Sequence, residues 1–475
     1  MTRRLVVLPA VAGLVAVIAA TIKGLYVSPD AVFYVGTARN WLDGRGFTPP
    51  PGLPPVEHFP PFFTMVLAAI GRIGPDPLTG ARVVNALAFA GIVLLVGLGV
   101  RFRTGSVAAG LVAALLAAAA VDLLTLSASA LSEPLFILLG LSGLLVLAAY
   151  LDEPRPALLA GAGALVAAAL LTRYVGIALV VAGVAALLWR RRWGAAAVFG
   201  AGSLAPVALW VLWARSQGPG DRTVAFHMFG AEYLGQAARP LARWLVPWPK
   251  PPVGLILAVL LVAGGVAVAR RVPASDSSLA WLLLAFTVAY VAVLLANRAL
   301  TDATGRLDAR FLAPLHVVAI LLVVPALWRR KLPAPALALA GAVVLGQVAA
   351  AAAWTAGGLT DESVRRRGYS ASALPRSPLM VHGGEPLHTN AVDAVFFVTG
   401  RPSTPVPATR DYLTGRPNDR YAEELAAMRA SGGYLAYFDA ITFRRSFLPS
   451  RAELEAALPL EVVATDALGT LYRFR

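Results

Sequence analysis

Apolar stretches of about 17–25 residues recur along this chain of 475 residues, and short charged connectors separate them. Hydrophobic residues make up 58% of the sequence and charged residues 14%, whereas a soluble domain carries about 25% charged residues. The pattern therefore predicts an all-α polytopic membrane protein. We place eleven transmembrane helices at 5–26, 79–100, 106–125, 131–150, 156–172, 174–189, 195–213, 251–269, 279–297, 310–327 and 333–355.

Arginine-rich clusters indicate which side of the membrane each connector faces. With eleven spans, the clusters all fall on the side that the positive-inside rule assigns to the cytoplasm. They lie at 3–4, 101–103, 155, 190–192, 270–271 and 329–331. We therefore expect a cytoplasmic N-terminus and an extracytoplasmic C-terminus. The bias toward arginine, alanine and glycine is typical of a GC-rich bacterial genome, so we expect a bacterial plasma (inner) membrane.

Residues 27–78 are predicted to form a large first outer loop. Ser28 as cap and Pro29 in the first turn predict a helix that runs to about Asp43 and lies on the membrane interface. The apolar stretch 62–73 is too short to span and predicts a second interfacial helix.

Residues 357–475 are predicted to form a small C-terminal α/β extracytoplasmic domain beyond a membrane module of residues 1–356. Candidate strands lie at 386–390, 395–399, 433–438, 462–465 and 470–474, and candidate helices near 418–430 and 450–457. The chain has no cysteine, which excludes a disulfide framework and a thiolate metal site. No basic stripe with interleaved aromatics is present, so we expect no nucleic-acid partner.

Ionisable residues are placed at the predicted outer ends of several spans. Because charges at membrane depth are costly, they usually mark a functional site. The residues are Asp30, Glu133, Arg173, Asp308 and Arg310. Their common side predicts an active site at the outer leaflet.

The motifs around these charges resemble the GT-C superfamily of integral-membrane glycosyltransferases. That superfamily includes protein O-mannosyltransferases, the aminoarabinose transferase of lipid A, and actinobacterial arabinosyl- and mannosyltransferases. The matching motifs are, in order, Ser28-Pro29-Asp30, His58-Phe59-Pro60-Pro61, Ser132-Glu133-Pro134-Leu135, Leu171-Thr172-Arg173-Tyr174-Val175-Gly176, Asp308-Ala309-Arg310-Phe311-Leu312-Ala313-Pro314, Thr389-Asn390-Ala391-Val392-Asp393 and Val398-Thr399-Gly400-Arg401.

The resemblance implies transfer of a sugar from a polyprenyl-phosphate donor to a glycan, lipid or protein acceptor of the cell envelope, by an inverting single displacement. Asp30 would be the catalytic base for the acceptor hydroxyl; its alternative role is to start the helix. Arg310 and Arg173 would bind the donor phosphate, and their alternative role is snorkelling to the headgroups.

Three further residues are expected to support the site. Asp308 either holds Arg310 or caps a helix. Glu133 binds sugar hydroxyls or positions a basic group, and its alternative role is a solvated charge at a helix end. His58 hydrogen-bonds substrate or phosphate, and its alternative role is packing within the loop. Asp122 is a weaker candidate.

Many members carry a second acid in the first loop, here Glu57, Asp76 or neither, so a divalent metal is possible while no cofactor is certain. The histidines at 227, 382 and 388 lack ligand spacing, and we predict no metal site from them.

Two other classes of function fit a polytopic chain. A lipid or glycolipid transporter or flippase is the main alternative, although no internal repeat is evident. A non-catalytic envelope scaffold is the other. No phosphate loop, dinucleotide fingerprint or hydrolase elbow appears, which disfavours a nucleotide-sugar donor.

Overall fold

The computed structural model describes residues 5–220, 224, 226, 228–271, 277–301, 305–330, 333–360, 376–380, 384–412, 415–441 and 445–475. The predicted basic residues at 3–4 and 331, and the histidines at 227 and 382, lie outside this part of the chain.

Helices account for most of the described residues up to Thr360. They are α1 (Val7–Ala20), α2 (Pro29–Leu42), α3 (Phe62–Gly71), α4 (Pro77–Thr104), α5 (Val107–Ala118), α6 (Val121–Ser127), α7 (Glu133–Asp152), α8 (Pro156–Thr172), α9 (Ile177–Trp189), α10 (Trp193–Ser216), α11 (Ala231–Gly235), α12 (Ala238–Arg243), α13 (Pro251–Arg271), α14 (Ser278–Leu300), α15 (Ala309–Trp328) and α16 (Ala334–Thr360).

Ten of the predicted spans each fall on one helix and the span 106–125 covers α5 and most of α6, but the count of eleven is not confirmed. Among the described residues, six helices are long and apolar enough to cross a membrane: α4, α7, α10, α14, α15 and α16. The pair α5 and α6 makes a seventh if its 58° bend lies within one span. The apolar helices α1, α8, α9 and the run Pro252–Ala267 of α13 are shorter, and about 20 residues are needed to cross the hydrocarbon core. The chain is thus a multi-pass membrane protein.

Helix α2 begins where the sequence predicts. The Ser28 hydroxyl accepts a hydrogen bond from the backbone N–H of Ala31 at 3.4 Å, and Pro29 occupies the first helical position. The helix ends at Leu42, with Asp43 as its C-cap. Asp30 therefore lies in the first turn, where the positive end of the helix dipole favours a carboxylate.

A short backbone bridge brings the start of α2 next to the start of α7. The N–H of Tyr26 donates to the carbonyl of Ala128 at 3.0 Å, and the N–H of Ala130 donates to the carbonyl of Tyr26 at 3.0 Å. Buried Asn85 of α4 fixes the same segment, because its amide donates to the carbonyls of Ser129 at 2.7 Å and Leu131 at 2.9 Å. These contacts place Asp30 close to the first turn of α7.

The C-terminal residues form a five-stranded sheet with three helices. Its elements are β1 (Leu387–Thr389), α17 (Val392–Thr399), β2 (Thr404–Pro405), α18 (Tyr421–Ser431), β3 (Tyr434–Phe438), α19 (Arg451–Ala457), β4 (Leu460–Asp466) and β5 (Gly469–Phe474). The strand order is β2-β1-β3-β5-β4. Strand β1 is parallel to β2 and β3, and the other pairs are antiparallel.

One predicted strand of this region is wrong. Residues 395–399 belong to helix α17, which ends at Gly400 in the left-handed conformation, with φ of 69°. A short apolar run has the same pattern in a buried strand and in a buried helix, so periodicity could not separate the two. The other four predicted strands overlap β1, β3, β4 and β5.

Candidate active site

Four of the predicted site residues meet in one network of ion pairs. Arg310 at the start of α15 donates from Nη2 to Asp30 Oδ2 at 2.6 Å and from Nε to Glu133 Oε1 at 2.7 Å. Arg173, directly after α8, approaches the same Glu133 oxygen with Nη1 at 2.9 Å. The starts of α2, α7 and α15 and the end of α8 therefore converge at one end of the helix bundle.

The network runs from the protein interior toward its surface. Glu133 is 1% exposed as a residue, whereas the side chains of Arg173, Asp30 and Arg310 are 15%, 25% and 28% exposed. Buried charges need partners and hydrogen bonds, and Glu133 Oε1 receives both arginines. Its other oxygen, Oε2, is buried and accepts no hydrogen bond from the described residues.

Three residues that were given no role on the sequence surround this network. The hydroxyls of Tyr34 and Ser132 are 3.2 Å apart, and Arg173 Nη1 donates to Ser132 Oγ at 3.3 Å. The Arg173 guanidinium also lies over the ring of Phe311, 5.8 Å from its centroid. Each residue stands beside a predicted one: Tyr34 is one helical turn after Asp30, while Ser132 and Phe311 are chain neighbours of Glu133 and Arg310. Their positions next to the predicted residues were the only sequence signal that could have identified them.

The pKa values of Asp30 and Asp308, two carboxyl groups outside the spanning segments, are shifted in opposite directions. Burial opposes ionisation of Asp30, but the charge and hydrogen bond of Arg310, with the charges of Arg173 and His58, hold the pKa of Asp30 below its usual value. Burial raises the pKa of Asp308, although Arg310 acts against it. Asp30 is thus an ionised partner of Arg310 at neutral pH.

Asp308 is placed as a helix cap. Its Oδ1 accepts a hydrogen bond from the backbone N–H of Arg310 at 2.9 Å, whereas the Arg310 guanidinium pairs with Asp30 and Glu133. His58 lies close enough to act electrostatically on Asp30, and its ring meets that of Phe59 edge-on.

The other acids of the predicted site lie apart from this network. Buried Glu57 pairs with Arg215 at 3.1 Å, and Asp76 forms a two-pronged pair with Arg39 at 2.9 and 3.0 Å. Neither stands beside Asp30 as an acidic pair would.

Asp122, on α6, also binds a separate arginine. Its Oδ1 lies 2.8 Å from Nη1 of Arg243 on α12. Within the described part of the chain, no group of three or more His, Asp or Glu side chains is arranged to hold a metal ion.

An apolar cavity lies between α8 and α10. Its volume is about 470 Å³, and Phe62 of α3 closes one side. Its lining continues along α8 to Leu171, two residues before Arg173. Gly202 on α10 contributes to the wall, and a Cβ there would meet nothing within 4 Å. The cavity suits an extended hydrocarbon better than a polar ligand.

The sequence and fold were compared with those of known proteins. Residues 58–214 match the sequence profile of the dolichyl-phosphate-mannose-protein mannosyltransferase family. A comparison of the sequence with curated proteins finds no match.

The fold is similar to those of several solved structures. ArnT from Cupriavidus metallidurans in the apo state is 14% identical, with a TM-score of 0.65 over 98% of this chain and 97% of that one. The structure of the same protein bound to undecaprenyl phosphate is 15% identical, with a TM-score of 0.62 over the same shares.

The archaeal oligosaccharyltransferase AglB from Archaeoglobus fulgidus, in complex with an inhibitory peptide and a dolichol-phosphate, is 12% identical. Its TM-score is 0.54 over 98% of this chain and 74% of that one. The resemblance to the GT-C superfamily that the motifs predict is therefore confirmed, and at these identities it concerns the fold.

Proposed function

We propose that this chain is a membrane glycosyltransferase that moves a sugar from a polyprenyl-phosphate donor to a cell-envelope acceptor. The observation that carries the proposal is the network of Asp30, Arg310, Glu133 and Arg173, together with an apolar cavity whose lining on α8 ends two residues before Arg173. Two arginines at one end of the bundle, and an apolar cavity along the helix that precedes Arg173, match a ligand with a phosphate head and a prenyl tail. The matched family and the ligands named for ArnT and AglB support the same donor.

The two arginines are suited to bind the donor phosphate. Among the described residues, no acceptor takes a hydrogen bond from Nη1 of Arg310, or from Nη2 or Nε of Arg173. These N–H groups remain available to phosphate oxygens while Glu133 holds both side chains in place. Forked, permanently charged donors stabilise the negative charge that grows on the phosphate as it leaves.

Asp30 is the proposed base. The acceptor hydroxyl attacks the anomeric carbon, the bond from that carbon to the phosphate oxygen breaks, and the hydroxyl proton moves to Asp30. This single displacement inverts the anomeric configuration. The bound phosphate brings negative charge near Asp30 and competes for Arg310, and both effects raise the pKa of Asp30. Its basicity would therefore increase only when donor is present.

The apolar cavity between α8 and α10 would receive the part of the prenyl tail nearest the phosphate. We further propose that residues 1–356 form the catalytic membrane module and that residues 357–475 form an extracytoplasmic domain. In this arrangement the site faces outward across a bacterial plasma membrane, with the N-terminus in the cytoplasm. Glycans, lipids and proteins of the envelope remain the candidate acceptors.

A transfer assay tests the proposal directly. Purified protein in detergent is given radiolabelled polyprenyl-phosphate mannose or arabinose with an acceptor extract from membranes. We expect the wild type to transfer label and Asp30→Asn to be at least about 100-fold slower, since base catalysis contributes roughly 10²–10⁴-fold.

Asp43→Asn is the matched control, because this exposed residue lies at the other end of the same helix and pairs with Arg45. Full activity of Asp30→Asn would refute the base assignment. No transfer from either donor by the wild type, together with lipid movement across vesicles that contain the protein, would favour the flippase.

A further inference from the structure

Helix α2 is more completely buried than an interfacial helix. Residues 31–38 are all buried, and nine of its 14 residues are buried in total. A helix resting on a membrane module buries one face only, with polar residues on the other. The helix that carries Asp30 must therefore be covered on its second side as well.

One side of α2 packs against the membrane module. The ring of Tyr34 lies 5.2 Å from that of Phe63 on α3, and Phe59 contacts both Phe33 and Tyr34, with centroids 4.8 and 5.0 Å away. These contacts leave the opposite side of α2 to another partner.

Helix α17 of the C-terminal region covers this side together with the loop that follows α2. Phe396 and Phe397 of α17 pack against the buried cluster that contains Val32 and Val35 of α2. At Gly36, in the middle of α2, a Cβ would lie 2.4 Å from Pro50 of the following loop and 3.5 Å from the Phe396 ring.

The turn after α2 is also in contact with α17. A Cβ on Gly52 would come within 2.6 Å of Val392. Helix α17 therefore covers both the middle of α2 and the loop that follows it.

The motif Thr389-Asn390-Ala391-Val392-Asp393 fixes the start of α17 to the sheet. Asn390, just before the helix, donates to the carbonyl of Phe438 at 3.0 Å and accepts from the N–H of Phe438 at 2.8 Å. Thr389 accepts from the N–H of Ala391 at 3.1 Å. These bonds tie the start of α17 to β3, so the helix has a defined position relative to the sheet.

We infer that α17 is a clamp that sets the position of Asp30, with Phe396 and Val392 as positioning residues; this inference rests on the proposed function. Gly36 lies six residues from Asp30, about 9 Å along the helix. Loss of the Phe396 contact would let α2 shift or tilt, and the 2.6 Å contact between Asp30 and Arg310 would change with it. A displacement of about 1 Å at a reacting group can cost roughly 100-fold in rate.

The test compares Phe396→Ala with Phe447→Ala. Phe447 is also half-buried in the C-terminal region, but its ring packs on Tyr412, 5.6 Å away. We expect Phe396→Ala to lower kcat at least about tenfold with donor KM changed less than about twofold, because positioning acts on the transition state. Phe396→Leu should recover most of the rate, and Phe447→Ala should behave as wild type.

Hydrogen exchange gives a measurement that does not depend on activity. Amides of residues 31–42 should exchange faster in Phe396→Ala and normally in Phe447→Ala. Unchanged exchange in α2, or an unchanged kcat in a variant whose α2 does exchange faster, would overturn the clamp. A wild type without transfer would count against the proposed function, and the exchange result would still decide whether α17 restrains α2.

Discussion

Replacing Glu133 by Gln should destabilise the protein more than any other single change in the ion-pair network. The carboxylate is 2% exposed and one of its oxygens receives both Arg310 at 2.7 Å and Arg173 at 2.9 Å. Removing one partner of a buried pair typically costs 3–5 kcal/mol, because a charge is left without compensation. Arg310 would still pair with Asp30, whereas among the described residues Arg173 would still contact only Ser132 and the ring of Phe311. We therefore expect the lower end, about 3 kcal/mol.

The control for this change is Glu153→Gln. Glu153 pairs with Arg155 at 2.7 Å, the same separation as in the buried pair with Arg310, but both side chains are at least 70% exposed. Exposed pairs contribute about 0–1 kcal/mol. Reversible unfolding in mixed micelles gives the free energy of unfolding of both variants. If Glu133→Gln loses no more than Glu153→Gln, the network does not depend on a buried carboxylate.

Three further predictions concern charge and the cavity. Because the pKa of Asp30 is lower in the folded protein, its ion pair with Arg310 stabilises the fold at pH values above the unfolded pKa of about 3.9. This stabilisation is lost as the pH falls through the folded pKa. The free energy of unfolding should therefore fall less on acidification in Asp30→Asn than in the wild type, and equal losses would contradict the pairing. Arg173→Lys keeps the charge but loses the fork, so donor KM should rise about tenfold, or 1.4 kcal/mol; an unchanged KM would exclude a bidentate contact. Gly202→Leu should fill the cavity and raise donor KM several-fold, whereas Gly264→Leu, on α13 with equally open space, should not; equal effects would place the prenyl tail elsewhere.

Most of the charged residues at this end of the helix bundle were predictable from the sequence, because a charge within the membrane is energetically costly and therefore rare. A carboxylate or arginine at the end of an apolar stretch stands out at once, and the positive-inside rule assigns the stretches their sides. Asp30, Glu133, Arg173 and Arg310 were found in this way. Their pairing was not predictable, since Asp30 and Arg310 are 280 residues apart and several partners satisfy the same charge balance.

The contacts around the network required the folded chain. Asp308 could cap a helix or hold Arg310, and only the direction of its Oδ1 shows that it caps. Tyr34 and Ser132 meet across 98 residues, and neither residue type stands out in an apolar sequence. The bridge between Tyr26 and the segment before α7 likewise leaves no periodic pattern.

Hydropathy and charge order are properties of the sequence itself, because transfer to lipid depends on composition over about 20 residues. They determined the helical positions of the membrane part, its multi-pass character and the gathering of the charges at one end of the helix bundle. The packing of α17 on α2 involves residues far apart in the sequence, so it could not be predicted. Residues 395–399 were predicted as a strand because a short apolar run has the same pattern in a buried strand and in a buried helix. Only the tertiary structure shows that this run is helix α17 and that α17 packs on α2, the helix that carries Asp30.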